Sequence, residues 1–581
     1  MNSILDTTVV LIFSIFILLV GISFKRTGRN LKSFFAGGEA VPWFIGGLSL
    51  FMSFFSAGTF VAWGSIAYKY GWVAITIQWT MCIGGLVTGL LLAPKWKATG
   101  SLTAAEFIKD RLGERVQKSF IFIFMVVSLF IKGSVLYSVA KLVGSSLDFP
   151  LVPVTVVLGV LMIAYTAVGG LWAVMVTDIL QFVILTAAVL LIIPLVLTEA
   201  GGLDTFLAKV PVNFFGMVNG EFSWGFIAAF TIYHIFYIGG NWTFVQRYTS
   251  VDKPKSSSKV AYLFAGLYLI SPVLWMLPPM VYQTINPTLT GLETENAYLM
   301  ACKQVLPAGL LGLILTGMYF STSASANTAL NVVSAVFTND IYKGSINPNA
   351  SDEKLMKVAR NSSWAFGFGM IVIGLIVPYI GGIVEFTLSV GAITGGPLLA
   401  PPIWALFSKR LTGRATLFIT VISLAVNLIF KIIIPIAGGT KLERATEMLL
   451  GVLLPFLLLV AYELYAAYKG NISKEYLDLQ KRNAIKRERV VEINEQEAME
   501  IKAQNRFGLK MIAFSLAFIS GLLFLLCLFT TKGTIYLAAI AAGILLTSLI
   551  PYSAYRKAEP PIQIKKAKLK VVNEIDSIEV H

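Results

Sequence analysis

The sequence has little charge for its length. Asp, Glu, Lys and Arg together make up 13% of its 581 residues, and hydrophobic residues make up 56%. A soluble domain needs about 25% charged residues for its surface, so this composition excludes an ordinary soluble protein. The apolar residues form separate runs of about 20 residues, the length that a helix needs to cross a hydrocarbon core of about 30 Å.

Cysteine and histidine are also scarce. The three cysteines, Cys82, Cys302 and Cys527, form no CxxC pair, which argues against a disulfide framework or a metal or redox pair. One of the two histidines is the C-terminal His581. A membrane-embedded enzyme needs a convergent acid/base or metal set, and these residues do not supply one. We therefore expect no catalytic site.

The apolar runs predict an all-α, polytopic membrane protein. The short alternating strands of a membrane barrel are missing from the pattern, and backbone groups in lipid must be paired within their own segment. The first run follows Met1 without a basic region or cleavage site and is interpreted as a retained helix. We predict about fifteen spans, near residues 4–24, 42–66, 70–94, 118–147, 151–168, 171–197, 223–246, 260–284, 307–341, 357–380, 382–407, 415–437, 446–467, 509–530 and 533–555.

Loop charges predict the orientation, because Lys and Arg accumulate on the cytoplasmic side. With the N-terminus outside, the inside segments carry 37 of the 46 basic residues, counted with generous boundaries. The prediction is therefore N-out and C-in, in a bacterial inner membrane or plasma membrane. The outside loops carry six basic residues: Lys69, Lys209, Lys303, Lys441, Arg444 and Lys532.

The net charge of +15 has the same explanation. A basic chain can bind nucleic acid, but here the excess charge lies on one side of a membrane, so no nucleic-acid partner is expected. The mixed-charge segment after residue 467 is interpreted as a solvated connector, with a regulatory or lipid-surface role as the alternative. Segments 468–510 and 556–581 are too short for a kinase or receiver domain, which argues against a transporter-derived sensor. The basic tail residues 565–570 can contact anionic headgroups.

Two spans break the apolar pattern with polar or flexible residues. The second span, GGLSLFMSFFSAGTFVAWGS (46–65), is interrupted by Gly and Ser around Phe51 to Gly58. A helix break at membrane depth frees carbonyls that can bind Na⁺, although small residues also allow close helix packing. The ninth span contains FSTSASANTALNVVSAVFTND (320–340). Ser321, Ser325 and Thr328 share a helix face there, and their oxygens can replace the hydration shell of Na⁺.

Asp178 lies in YTAVGGLWAVMVTDILQ (165–181). A carboxylate within a membrane span is a functional-site hypothesis by default. The alternatives are a structural hydrogen bond to a neighbouring hydroxyl, or a position close to the cytosol.

The chain resembles the sodium:solute symporter family of sodium/galactose, sodium/proline, sodium/sialic acid and sodium/glucose carriers. The resemblance rests on residues 165–181, on the serine-rich run ending FTNDIY (337–342) and on LYLISPVLWMLPP (267–279). It runs from about residue 1 to 467 with the motifs in the family's order.

The resemblance implies a LeuT-like fold of two inverted five-helix units, each opening with a discontinuous helix, together with extra N- and C-terminal helices. The chain then divides into an extra helix and basic loop (1–41), the first repeat (42–222), the second repeat (223–407), additional helices (408–467), a charged cytoplasmic connector (468–508), a transmembrane hairpin (509–555) and a basic tail (556–581).

The resemblance also implies a sodium site between the spans at 42–66 and 307–341. Carried over by position, its ligands are the carbonyl oxygens of Met52, Phe55 and Ser321 and the hydroxyl of Ser325. The family's adjacent hydroxyl pair falls on Ala324 and Ser325, so one oxygen is lost, and Thr322, Ser323 or water is left to replace it. Some members hold a second sodium ion, whose ligands would be Asp178, Asn327 and Thr328.

The solute is expected between the repeats. The corresponding positions are Thr59, Gln78, His234, Tyr237, Tyr268 and Gly391; Tyr237 matches the aromatic lid of the sugar carriers, whereas Gln78, His234 and Tyr268 depart from their pattern. His234 can equally be a packing residue.

The chemistry of these positions favours a neutral solute. They include no Arg or Lys to clamp a carboxylate, and their neutral donors and acceptors suit a sugar or polyol. A sugar acid, amino acid or other carboxylate is the alternative, because a helix N-terminus can hold an anion. The prediction is thus a sodium-driven symporter of a small polar solute, with no obligatory protein partner; a passive channel is the other transport class to be tested.

Overall fold

The computed structural model describes residues 4–24, 41–101, 103–147, 149–164, 171–307, 309–488, 495–530 and 532–557. Helices dominate the described residues. Ten helices are long and apolar enough to cross a membrane, and five shorter apolar helices accompany them in the same part of the chain. The predicted all-helical, multi-pass architecture is confirmed.

Among the described residues, the first half of the chain contains nine α-helices: α1 (Ile4–Ser23), α2 (Trp43–Met52), α3 (Gly64–Tyr70), α4 (Val73–Ala98), α5 (Ala104–Leu112), α6 (Glu114–Leu147), α7 (Leu151–Ala164), α8 (Leu171–Glu199) and α9 (Leu203–Lys209). The second half contains twelve: α10 (Trp224–Gly240), α11 (Trp242–Thr249), α12 (Pro254–Ile285), α13 (Ala297–Val305), α14 (Leu310–Val336), α15 (Asp352–Ile376), α16 (Gly382–Ala405), α17 (Gly413–Ile436), α18 (Arg444–Tyr468), α19 (Lys474–Glu488), α20 (Glu495–Cys527) and α21 (Thr534–Lys557).

Two helices are interrupted, and each stands first in a predicted repeat. After α2 the chain leaves the helix at Ser53 and resumes it through a π-helical turn, Thr59–Trp63, which leads into α3. The second interruption separates α10 from α11 at Asn241, whose side chain accepts a hydrogen bond from the Thr243 amide at 3.0 Å. This is the usual role of Asn at a helix N-cap. The first break lies where Gly and Ser interrupt the second span, and the second lies at the start of the second repeat, where the family resemblance implies a discontinuous helix.

The helices divide by packing into two groups. Helices α2, α3 and α4 pack on α12, and α10 packs on α4; these five form the first group. Helices α6, α7, α14 and α15 pack on one another and form the second. Helix α10 also packs on α16 and α18. The interrupted helix α2–α3 therefore belongs to one group and the serine-rich helix α14 to the other. Contacts between these two helices cross the boundary between the groups.

Asp6 in α1 is a second carboxylate within an apolar helix. It is 5% exposed, and its Oδ1 accepts hydrogen bonds from the amides of Gly309 (2.8 Å) and Gly312 (3.1 Å). These amides begin α14, where the helix dipole favours a negative charge. Asp6 thus caps the serine-rich helix and needs no functional explanation.

The predicted connector is docked along part of its length. Its helix α19 packs on α5, and Arg482 donates to Asp110 Oδ1 at 3.0 Å. Beneath it, Arg111 is 1% exposed and donates to the carbonyls of Ser408 (2.8 Å) and Leu411 (3.1 Å). Burial lowers the pKa of Arg111, which nearby carboxylates partly oppose. Helix α19 is thus docked on α5, while most of its described side chains stay exposed. Residues 489–494 and 558–581 lie outside the described residues.

Candidate functional site

The centre of the predicted sodium site lies where the break after α2 faces α14. The Ser321 hydroxyl of α14 donates to the carbonyl of Phe55 at 2.9 Å. Both residues are buried, and they are 266 positions apart in the sequence. Two of the four predicted ligands are therefore brought into direct contact.

A second contact between the same helices lies beside the first. The amide of Ala57 donates to Thr322 Oγ1 at 3.2 Å, so the first amides after the break are paired with the serine-rich helix. The carbonyl of Met52, also a predicted ligand, accepts the Phe55 amide at 3.0 Å. The side chain of Ser325 lies outside the described part of the structure. Thr322 was one of three candidates for the missing oxygen, and it lies at this boundary.

Asp178 of α8 lies on the other side of the break. Its Oδ2 accepts a hydrogen bond from Ser49 of α2 at 2.6 Å and lies 3.8 Å from Arg247 Nη2. Arg247 also donates through Nε to Ser49 at 3.3 Å. The two charged residues are 6% and 3% exposed. The structural hydrogen bond considered for Asp178 is present, while the side chains of Asn327 and Thr328 are not among the described ones, and the second sodium site stays a prediction.

Three predicted solute positions meet around the aromatic ring of Phe54, within the break. The ring centroids of Tyr237 and Tyr268 lie 5.7 and 6.1 Å from that of Phe54. Thr59 donates its hydroxyl to the Phe54 carbonyl at 3.1 Å. The break thus contacts residues of both predicted sites, since the Phe55 carbonyl contacts α14 and the Phe54 ring contacts α10 and α12.

Gln78 of α4 has an unsatisfied donor. Its side chain is 2% exposed, and its Nε2 has no hydrogen-bond partner among the described residues. A buried amide without a partner is costly. The cost is removed if a bound polar molecule accepts the hydrogen bond.

The remaining two predicted solute positions, His234 and Gly391, both contact Tyr233, a residue that was not predicted from the sequence. Its ring stacks on Tyr237 at 5.4 Å and lies 5.2 Å from the ring of His234. A Cβ at Gly391 would lie 3.3 Å from the Tyr233 ring. Tyr233 and Tyr237 are four residues apart on α10, and this helical spacing of two aromatics is a signal that could have identified Tyr233.

His234 itself has a partner within the helix packing. Its Nδ1 lies 2.6 Å from the hydroxyl of Thr80 in α4, and the side chain is 2% exposed. This geometry agrees with the packing interpretation that was kept open for His234. Its predicted role in solute binding stays untested.

Arg247 and Ser49 are the other residues that sequence reasoning missed. Arg247 was counted with a cytoplasmic loop, but it lies in α11, which the Asn241 cap extends past the predicted span end at residue 246. The signal was the GGN sequence at 239–241, which ends one helix and begins another. Ser49 carries no distinguishing signal, because many small residues occur in the second span.

The site has the chemistry of a hard monovalent cation and a polar solute. No group of three or more His, Cys, Asp or Glu side chains lies close enough to hold a metal ion, as far as the described ranges extend. The oxygens at the break are instead carbonyls and hydroxyls, which suit Na⁺ and supply no general base. The arrangement is that of a binding site shared between two groups of helices.

Comparison with known proteins defines the class. The sequence model of the Sodium:solute symporter family matches residues 34–454. The sodium/glucose cotransporter of Vibrio parahaemolyticus is 25% identical over 465 residues, which cover 73% of this chain and 84% of that protein. The sodium/sialic acid symporter NanT of Aliivibrio fischeri is 23% identical over 493 residues, which cover 80% and 93%.

A solved structure shares the fold. The substrate-bound, outward-open structure of a Na⁺-coupled sialic acid symporter matches with a TM-score of 0.65 and 20% identity, covering 81% of this chain and 99% of that one. The chain is therefore a multi-pass membrane protein with the fold of that symporter. It belongs to the sodium:solute symporter family, and the predicted resemblance is confirmed.

Proposed function

We propose that this protein is a sodium-coupled symporter that imports a small polar solute, a sugar or polyol, by alternating access. The observation that carries the proposal is the contact of the Phe55 carbonyl with the Ser321 hydroxyl across the boundary between the two helix groups. A cation bound by oxygens of both helices joins the groups. An equilibrium between two arrangements of the groups then depends on sodium.

The coupling follows from linkage. Sodium, bound by Met52, Phe55, Ser321 and Ser325, favours the arrangement in which the break after α2 lies against α14. That arrangement also orients Phe54, which contacts Tyr237 and Tyr268 in the solute pocket. Since both ligands favour the same arrangement, each raises the affinity for the other by the same factor. The inward sodium gradient drives solute uptake.

A second sodium ion is proposed at Asp178, with Asn327 and Thr328. The support is that Asp178 meets its cationic partner at 3.8 Å, beyond hydrogen-bond distance. A sodium ion can therefore compete with Arg247 for this carboxylate. One or two ions per solute would then be transported, according to whether this site fills during the cycle.

The proposed solute positions are Thr59, Gln78, His234, Tyr237, Tyr268 and Gly391. The unpaired Nε2 of Gln78 favours a solute with a hydroxyl or carbonyl oxygen. A sugar acid or other carboxylate is the second candidate, because NanT is named as a sodium/sialic acid symporter. Six neutral positions favour the sugar or polyol, since they provide no guanidinium to bind a carboxylate.

The proposed topology has fifteen spans with the N-terminus outside. Ten long and five shorter apolar helices support this number, and the loop charges support the orientation. Labelling of single cysteines placed at residues 27 and 471 by a membrane-impermeant reagent tests it. Both should react only after the membrane is opened, and reaction of either in sealed right-side-out vesicles would contradict the orientation.

Uptake into proteoliposomes tests the function. We expect accumulation of solute against its gradient with sodium outside, and none when choline replaces sodium. Equal rates in the two buffers would overturn sodium coupling, and flux that never exceeds equilibrium would identify a channel. A thermal-shift screen of sugars, sugar acids and amino acids, with and without sodium, identifies the solute: stabilisation by a sugar acid alone would favour the second candidate.

A further inference from the structure

A hairpin between α12 and α14 crosses the end of the helix groups on the side predicted to be extracellular. This hairpin, residues 286–307, is called the lid; it contains a 3₁₀ turn, Gly291–Asn296, and helix α13. It contacts both helix groups. Any motion of one group against the other must therefore break one of its two sets of contacts.

The contacts of the lid with the first group combine aromatic packing with hydrogen bonds, including those that the Tyr68 hydroxyl of α3 makes with Asn286 and Leu289. The Tyr298 ring of the lid lies 4.7 Å from that of Phe60, in the turn that leads into α3. A Cβ at Gly64 would touch Tyr298 at 3.4 Å, which shows how closely the lid approaches α3. The Ser65 and Thr294 hydroxyls are 2.6 Å apart in the same interface. The lid continues from α12 of this group at one end and into α14 of the second group at the other.

The contacts of the lid with α6 and α16 are polar and centre on one carboxylate. Glu295 is 3% exposed. Its Oε2 accepts from Tyr137 at 2.7 Å and pairs with Lys141, both on α6. Its Oε1 accepts from the amide of Ile383 at 2.9 Å, where α16 begins.

The fit around Glu295 depends on one glycine. At Gly382, φ is +84°, a conformation that favours glycine. A Cβ there would lie 2.2 Å from Glu295 Oε1, so a side chain at this position excludes the carboxylate from the start of α16. The contact is specific to a small residue at 382 and a carboxylate at 295.

Three further polar contacts join the lid to α6. Lys141 donates to the carbonyl of Leu292 at 2.7 Å, and Ser145 donates to Asn296 Oδ1 at 3.2 Å. Lys303 of the lid donates to the carbonyl of Ser145. The contacts of Lys141 with the Leu292 carbonyl and of Lys303 with the Ser145 carbonyl are exposed, so the ammonium of Lys141 can be hydrated once it separates from Glu295.

From these two sets of contacts we propose that Glu295 and Lys141 form a latch that closes the outer side of the transporter. The proposal rests on alternating access as the function. In the outward-open state the lid stays with α3 and α12, and the latch is open. The physical reason is that charges hydrate well once separated, so that the net stability of a buried pair is small. Apolar rings exposed to water have no such compensation.

Two matched cysteine pairs test the proposal by cross-linking. The pair Ser145→Cys and Asn296→Cys bridges the latch, whereas Ser65→Cys and Thr294→Cys bridges the lid and α3. Both are made in a chain with Cys82, Cys302 and Cys527 replaced, and both are linked by a short, reducible bifunctional thiol reagent. We expect linkage across the latch to lower sodium-driven uptake at least tenfold, with recovery on reduction, and linkage to α3 to leave uptake within twofold.

The opposite pattern, with uptake blocked only by linkage of the lid to α3, would overturn the proposal. Equal block by both pairs would also overturn it, because the lid would then have to part from both groups. Uptake measured before cross-linking distinguishes a failure of the latch proposal from a failure of the proposed function. If the variants that carry the cysteine pairs transport solute equally in sodium and choline before cross-linking, sodium coupling itself is wrong, whatever the cross-link does.

Substitutions give a second, independent test. Glu295→Gln should favour the outward-open state and lower the sodium concentration for half-maximal uptake about threefold. The double variant Glu295→Gln with Lys141→Met should show no further change, because both remove the same pair. If the two substitutions change the half-maximal sodium concentration additively, or if Glu295→Gln raises that concentration, the pair is merely structural and does not act as a latch. Sodium-dependent thermal stabilisation of each variant reports whether it is folded.

Discussion

Asp178 and Glu295 are both buried carboxylates with a cationic partner, and they lie on opposite sides of the break in the first interrupted helix. The carboxylate of Glu295 accepts from the Tyr137 hydroxyl and the Ile383 amide and pairs with the Lys141 ammonium. Asp178 has one hydroxyl at 2.6 Å and a guanidinium 3.8 Å away. Burial alone does not distinguish them. The number and distance of their donors do: Glu295 has three donors at hydrogen-bond distance, whereas the guanidinium beside Asp178 lies beyond that distance.

The largest expected effect comes from Glu295→Ala. It leaves Lys141, whose side chain is 12% exposed, without its anion, which costs about 3 kcal/mol. Thermal or denaturant unfolding of the purified protein measures the loss. Glu199→Ala is the matched control, since Glu199 meets the lid only through an exposed contact with Gln304 at 3.2 Å. Equal losses of unfolding free energy in the two variants would show that Glu295 stabilises the protein no more than an exposed surface contact does.

Asp178→Asn should lower the free energy of unfolding less than Glu295→Ala does, but it should change the sodium dependence of uptake more. The amide can still accept from Ser49, but it no longer neutralises Arg247, so we expect a loss of about 1.5–3 kcal/mol. If Asp178 binds sodium, the concentration for half-maximal uptake rises about tenfold or more, equivalent to about 1.4 kcal/mol. Asp6→Asn is the control, a buried carboxylate that caps α14. An unchanged sodium dependence in Asp178→Asn would make Asp178 a structural carboxylate like Asp6.

Ser321→Ala tests the contact between the helix groups. Removal of the hydrogen bond to the Phe55 carbonyl should cost about 1 kcal/mol and weaken sodium activation about fivefold. Ser138→Ala on α6 is a fair comparison, because that buried hydroxyl bonds only to Ser134 of its own helix at 3.0 Å. Similar sodium constants for both variants would argue against a site at Ser321.

The smallest effect on stability is expected for Gln78→Leu. Its Nε2 makes no hydrogen bond within the described structure, so replacement should change the unfolding free energy by no more than about 0.5 kcal/mol. Solute affinity should fall about fivefold, as expected for one neutral hydrogen bond. Thermal shifts against solute concentration measure both. A large loss of stability with unchanged affinity would show that Gln78 supports the fold.

Much of the candidate sodium site could be predicted because it depends on local irregularities. The glycines and serines around Phe55 and the hydroxyls near Ser321 interrupt otherwise apolar helices, and such interruptions are visible in a sequence. The contact between them could not be derived from either segment, since it joins residues 266 positions apart. Family resemblance supplied that pairing, and the structure places the two residues 2.9 Å apart.

The partners of the buried charged residues could not be predicted from local sequence patterns. Arg247 resembled one more basic residue beside a predicted cytoplasmic loop, yet it is 3% exposed beside Asp178. Arg111 likewise belonged to a basic stretch, but α19 covers it. The charge of a side chain is known from the residue type, whereas its burial depends on which distant helices pack over it.

The sequence by itself determined a many-helix membrane protein with two broken helices, because hydrophobic length and helix-breaking residues act within 20 or so neighbouring positions. Only the tertiary structure decided that Asp178 meets Ser49 and Arg247, that Tyr233 links three solute positions, and that Glu295 closes the lid onto α6 and α16. Those outcomes depend on packing across hundreds of residues, and the energy of a buried charge depends on the partners that such packing brings within hydrogen-bond distance.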